Sequence, residues 1–336
     1  MQTSQTESSA GVTATTRPLA KEIVGYLTLT FLISWVLLIG AIKLGLDEEY
    51  LNIGVAGPAV AALVLSARKQ QNRKRFSGVQ LLCFSALWVL CWVVICLHYL
   101  WRSGGALEFR LNPLLLIPSV VPAWILSGIS SSNEGIRTFV KRILHWPNRW
   151  SLFALLCFPV MLGVPSAIAH AVGAKLVSPE GRGSAISSFA EGIIFFLFNL
   201  LFVGTEEEPG WRGFLLDRLQ QRFSPLSASL LVWLPWALWH APLDYFRPVR
   251  FTLMTYVLLR VVFLIPLTIV LTWLYNRSSR SIQATVIFHA CMNTVPFVMA
   301  YYQPAWSLLF LFTAYAVISD KMWSRQSIVP NENAVS

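Results

Sequence analysis

Runs of about twenty apolar residues recur along this 336-residue chain, and they constrain its fold more than any other feature. They lie at about 23–45, 79–100, 113–132, 152–173, 191–217, 227–246, 252–275, 282–300 and 303–320, with a weaker run at 51–67 that contains Gly57-Pro58. A helix rising about 1.5 Å per residue needs roughly 20 residues to cross the hydrocarbon layer. The runs are continuously apolar and do not alternate, which argues against a closed barrel. Composition agrees: 55% of the residues are hydrophobic and 12% are charged, about half the charged share of a soluble domain. The expected fold class is an all-α integral membrane protein, a polytopic bundle of about 9–10 transmembrane helices.

The formal net charge is +10, and where it sits says more than its size. Arg17 and Lys21 precede the first run; Arg68, Lys69, Arg73, Lys74 and Arg75 follow the second; Arg137, Lys141, Arg142 and Arg149 follow the fourth. Arg212, Arg218 and Arg222 end the sixth, Arg277 and Arg280 follow the eighth, and Lys321 and Arg325 follow the tenth. Counting 51–67 as a span puts every strongly basic segment on one side, so a multi-pass protein of the cell membrane with both termini cytoplasmic is expected. Basic residues between apolar runs meet anionic lipid, and no nucleic-acid partner is expected. The segment 134–150 alternates charges with Ile136, Phe139, Val140, Ile143 and Leu144 at helical spacing and reads as an interfacial helix. Residues 1–20 are rich in Ser, Thr and Gln and read as a disordered polar tail without a signal peptide. The five cysteines lie in apolar runs without a C-x-x-C pair and read as small core residues. No internal repeat of the kind common in transporters is visible.

Ionisable residues inside a span are costly, and three apolar runs carry them. The first cluster is Glu206-Glu207-Glu208-Pro209-Gly210-Trp211-Arg212-Gly213. Glu208 and Arg212, at i and i+4, share a helix face and can pair, which leaves Glu207 with other neighbours. A carboxylate in such a setting suits a general base; alternatively the cluster merely ends the span at the membrane surface. The second cluster is Trp236-Ala237-Leu238-Trp239-His240-Ala241-Pro242-Leu243-Asp244. A lone imidazole on an apolar face is more often a core residue than a catalyst. The third is His289-Ala290-Cys291-Met292-Asn293, with His289 and Asn293 one turn apart on one face, suited either to catalysis or to bonding between helices. Brought to one depth, these groups suit hydrolysis by activated water, with imidazole and amide holding an oxyanion. Glu207, His240 and His289 would also make a zinc ligand set, although H-E-x-x-H is absent. Arg260 either snorkels or pairs, and Asp244 either orients His240 or sits at the outer interface. His98, His145 and His170 lie near run ends and read as interfacial, and the frequent Trp and Tyr residues read mostly as interface anchors and packing.

Glu207-Glu208-x-x-x-Arg212, an aromatic four residues before His240, and His289-x-x-x-Asn293 together resemble the three motifs of the CAAX protease and bacteriocin-processing (CPBP) family. Trp236 stands where that family more often has Phe, and Glu206 adds a third carboxylate. The resemblance implies an intramembrane endopeptidase whose substrate is a membrane-anchored peptide or protein; eukaryotic relatives remove the last three residues of prenylated proteins. It implies Glu207 as general base, Glu208 and Arg212 shaping the site, His240 assisting, and His289 with Asn293 at the oxyanion, with no cofactor favoured over zinc. The chain then divides into a tail (1–20), N-terminal transmembrane helices (21–185), a CPBP-like catalytic core (186–300), and a last transmembrane helix with a short cytoplasmic tail (301–336). The competing class is a non-catalytic membrane protein of the same fold, an immunity or scaffold protein or a transporter.

Overall fold

The computed structural model describes residues 7–46, 48–67, 77–102, 113–145, 149–177, 189–246 and 252–325. Among these residues there is no strand, only a single bridge between Val177 and Tyr301. The helices are α1 (Glu7–Lys43), α2 (Glu48–Val55), α3 (Gly57–Ala67), α4 (Gly78–Arg102), α5 (Leu116–Ser127), α6 (Glu134–Leu144), α7 (Arg149–Ala171) and α8 (Phe189–Asn199). They continue as α9 (Thr205–Gly210), α10 (Asp217–Leu219), α11 (Pro225–Trp239), α12 (Ala241–Phe246), α13 (Leu253–Val257), α14 (Leu264–Arg277), α15 (Ile282–Val298) and α16 (Ser307–Ser319). Wider π turns at Leu200–Gly204 and Trp211–Leu216 join α8, α9 and α10 into one continuous helix, and a third at Leu258–Phe263 joins α13 to α14.

The protein is a polytopic all-α membrane protein. Among the described residues four helical stretches are long and apolar enough to cross a membrane: Leu19–Lys43, Gly78–Leu100, Arg149–Ala171 and Met254–Arg277. Shorter apolar helices occupy Gly57–Ala67, Leu116–Ser130, Pro225–Trp239, Ile282–Val298 and Gln303–Ser319. The weak run at 51–67 is thus not one full-length helix. It is a helix broken at Ala56, between α2 and α3, where Pro58 has no N–H to continue the backbone ladder. The polar tail also differs from expectation, since α1 begins at Glu7. Once an apolar run nucleates a helix, extending it backwards gains one hydrogen bond per residue fixed. Residues 1–6, the basic cluster from Arg68 to Arg75 and the tail beyond Arg325 lie outside the described residues.

Side-chain caps set several of the boundaries. Ser224 caps α11, whose first residue is Pro225; Thr252 caps α13, and Ser281 caps α15. Asn133 caps α6 by accepting from the Ile136 N–H, while its own amide donates to the Ala67 carbonyl at the end of α3. Helix α6 buries Phe139, Val140 and Ile143, and its Arg142 reaches Asp217 of α10 at 2.9 Å.

Packing places α9 at the centre of the bundle. Between helices in a membrane the hydrophobic drive is weak, and close backbone approach at small residues takes its place. Gly210 lies against Pro58 of α3, so that a Cβ there would fall 2.4 Å from the Pro58 carbonyl carbon. Gly204 and Gly213 meet Val286 and Ile282 of α15, with 2.9 Å and 2.5 Å separating an added Cβ from the nearest atoms. The motif helix is therefore held by glycine contacts on two sides. Around it α15 packs on α7 and α8, α11 on α14, and α14 on α16. A second apolar cluster, which includes Cys91, Ile95, Ala123 and Phe202, joins α4, α5 and the α8 helix.

Candidate active site

Each candidate side chain follows from its helix. Glu206, Glu207, Glu208 and Arg212 are all buried. Arg212 Nη1 donates to Glu208 Oε1 at 2.9 Å, the i to i+4 pair expected from spacing, and neither side chain is exposed to solvent. The same Glu208 oxygen accepts from His289 Nδ1 at 2.8 Å, so Glu208 joins α9 to α15. An ionised carboxylate can only accept, so Nδ1 carries the proton.

Glu207 has a separate environment. Its Oε2 accepts from the Trp236 indole Nε1 at 2.8 Å. Trp236 is 1% exposed and is the hub of the group. The Arg212 guanidinium lies 4.1 Å from its ring centroid, a cation–π contact, and the His289 ring meets it edge-on at 5.8 Å. The His240 ring stands 5.9 Å from the same indole, so His240 joins the group through Trp236. Glu206 is fully buried, and neither of its oxygens has a hydrogen-bond partner among the described residues. Asn293 is half-buried and lies one turn beyond His289 on α15.

His240 sits at a helix break that the apolar run at 227–246 does not announce. Pro242 has no N–H to offer the Leu238 carbonyl, so α11 stops at Trp239 and α12 starts at Ala241. The His240 N–H turns to the Ala237 carbonyl at 3.3 Å, and the Trp236 carbonyl, which a regular helix would pair with that N–H, accepts from His240 Nδ1 at 2.7 Å. A carbonyl can only accept, so the ring carries a proton on Nδ1.

Trp211, Trp236 and Trp239 are among the largest fully buried side chains, in keeping with a packing role. An indole N–H in an apolar span close to carboxylates was the available signal for Trp236. Trp239 packs edge-on against the His240 ring at 4.9 Å. His98 is buried, stacked at 3.8 Å on Phe198 and at 5.6 Å on Phe195. His145 and His170 are exposed. Asp244 is buried and pairs with Arg260, which is therefore paired rather than snorkelling.

Among the described residues no three His, Cys, Asp or Glu side chains are arranged to hold a metal ion. His289 meets Glu208 rather than Glu207, Arg212 shares the same carboxylate, and one Glu207 oxygen is occupied by Trp236.

Residues 189–295 match the family described as type II CAAX prenyl endopeptidase, Rce1-like. The match includes every side chain of the group just described. The CAAX prenyl protease 2 of Methanococcus maripaludis is 30% identical over 249 residues, 67% of this chain and 90% of the relative.

Proposed function

Given that this chain belongs to the Rce1-like CAAX prenyl endopeptidase family and is a membrane peptidase, we propose that it hydrolyses a peptide bond of a membrane-associated peptide or protein with water activated by Glu207. The observation that carries this reading is the division of labour between adjacent carboxylates. Glu208 is committed to Arg212 and His289, whereas Glu207 is held through one oxygen by Trp236 and keeps the other for water. In the proposed cycle Glu207 takes a proton from water as its oxygen attacks the scissile carbonyl carbon. The Asn293 amide and the Nε2–H of a His289 imidazolium receive the developing oxyanion, and Glu208 balances the imidazolium charge. The tetrahedral intermediate then collapses, the C–N bond breaks, and the proton held by Glu207 passes to the leaving amine. His240, with its lone pair on Nε2, orients the water or the amine. The charges of Glu207 and Glu208 are balanced by the guanidinium and the imidazolium they face, which lowers the cost of placing these four groups inside a membrane.

The relative's name supplies the substrate class to try first, a prenylated peptide ending in the CAAX pattern. The purified protein in detergent micelles should release the C-terminal tripeptide from a farnesylated CAAX peptide, read by mass spectrometry. Activity should survive dialysis against a strong chelator, because the proposed base acts on water directly. Loss of activity on chelation with recovery on adding zinc would replace this mechanism by a metal-dependent one. No cleavage of prenylated or other membrane-anchored peptides would favour the non-catalytic alternative, which the intact motif side chains do not support.

A further inference from the structure

Three contacts cross from the segment Leu253–Phe263 to the helix break that carries His240, and the peptidase reading leaves them without a task. The Tyr256 hydroxyl donates to the Ala237 carbonyl at 3.0 Å. That carbonyl is the one to which the His240 N–H has turned. Arg260 Nε and Nη2 reach Asp244 Oδ2 and Oδ1 at 2.6 Å and 2.7 Å, a bidentate fork onto the residue one turn after His240. The Arg260 carbonyl, inside the π turn Leu258–Phe263, accepts from Trp233 Nε1 at 2.7 Å, about two turns before the break. The Asp244 N–H in turn bonds the His240 carbonyl at 3.0 Å.

The break leaves the choice of hydrogen-bond partners open in a way a regular helix does not. If α12 swung back, or the Ala237 carbonyl lost its second donor, the His240 N–H could return to the Trp236 carbonyl. The His240 ring would then lose the acceptor that fixes its tautomer. A two-pronged ion pair whose carboxylate is 1% exposed is geometrically demanding, and it fixes the direction of α12. π turns of this kind often mark functional positions in helices.

We propose that Tyr256 and the Arg260–Asp244 pair form a clasp that holds the rotamer and tautomer of His240, making all three positioning residues for peptide-bond hydrolysis. The inference rests on the role given to His240 above, but its structural half does not. The clasp acts through geometry, so its removal should lower kcat and leave KM nearly unchanged. A misplacement of about 1 Å at a catalytic group costs on the order of 100-fold in rate.

The test uses the full-length protein with a prenylated peptide. Asp244→Asn/Arg260→Gln removes both charges at once, so no charge is left alone in the membrane. Its kcat should fall by roughly 10- to 100-fold, with KM unchanged within about twofold. Introduced into His240→Ala, the same pair of changes should cost less than about twofold further, because the clasp acts only through His240. Wild-type kcat in the folded double variant, or its full loss repeated on the His240→Ala background, would overturn the proposal. If the double variant fails to fold, Tyr256→Phe, which keeps the ion pair, carries the same cycle. Nitrogen-15 NMR of the labelled imidazoles reads the clasp directly: His240 should be the Nδ1–H tautomer in the wild type and a mixture in the variants. An unchanged tautomer overturns the clasp whatever the kinetics. A fully active His240→Ala would instead refute the role of His240, while the nitrogen spectrum would still decide the clasp.

Discussion

Replacing Gly210 by alanine tests whether the motif helix is placed by close contact with α3. A Cβ on residue 210 would lie 2.4 Å from the Pro58 carbonyl carbon, 2.5 Å from its Cβ and 2.5 Å from its oxygen. These are backbone and ring atoms, and no flexible side chain can move aside. Restoring ordinary contact, at 3.4 Å or more, requires α3 and α9 to separate by about 1 Å. Overpacking of this kind costs about 1–3 kcal/mol of stability. The same movement displaces Glu207 and Glu208 from Trp236 and His289, and a shift of about 1 Å costs on the order of 100-fold in rate. Thermal unfolding in detergent and turnover of a prenylated peptide read the two effects. The matched control is Gly163→Ala in α7, where the nearest side-chain atom, Met299 Cε, is 3.5 Å away and alanine raises helix propensity. Gly210→Ala with wild-type stability and kcat would show that the approach of α3 does not position the site.

Trp236→Phe keeps an aromatic ring but deletes the donor to Glu207; a hydrogen bond to a charged group contributes about 1.5–3 kcal/mol, so kcat should fall roughly tenfold or more with the fold intact. At the end of α16, burial pushes the Asp320 carboxyl up, but hydrogen bonds from Arg277 and Ser319 outweigh it and leave the group below the usual carboxylate range. The stability this contributes is present above that range and lost as pH falls through the lowered value. Arg277 is 44% exposed, so the contribution should stay below about 1 kcal/mol, and Asp320→Asn should flatten this part of the acid-side decline in thermal stability below about pH 4. Reporter fusions at Ser8 and Asn331 should both locate to the cytoplasm, and opposite locations would remove the broken helix α2–α3 from the count of spans.

Helical spacing made part of this site legible. It placed Glu208 opposite Arg212 and kept His289 and Asn293 on one face of α15, because both relations depend only on the 3.6-residue period. The same period gave no means of telling which partner on another helix each side chain meets. Hence Glu208 reaching His289, and Trp236 serving as a donor to Glu207, could not be derived from it. The Gly57-Pro58 pair looked like a weakness in a marginal span. In the folded chain Pro58 makes the surface on which Gly210 rests, while Gly57 lies against Thr30 and Ser34 of α1, a complementarity set by distant segments. The break at His240 was within reach, since Pro242 follows it by two residues, but the apolar run masked it. Asp244 and Arg260 are 16 residues apart, one in α12 and the other in the π turn before α14, so helical spacing could not pair them.

The central claim, that Glu207 is the base of a membrane peptidase, is tested most directly by Glu207→Gln. The amide keeps the size of the side chain and can still accept from Trp236 Nε1 through its carbonyl oxygen, so the bundle should fold with unchanged thermal stability. Turnover of a cognate prenylated peptide should fall by about 100- to 10,000-fold, the range for loss of a general base. A folded Glu207→Gln protein that cleaves the peptide at the wild-type rate would contradict the assignment.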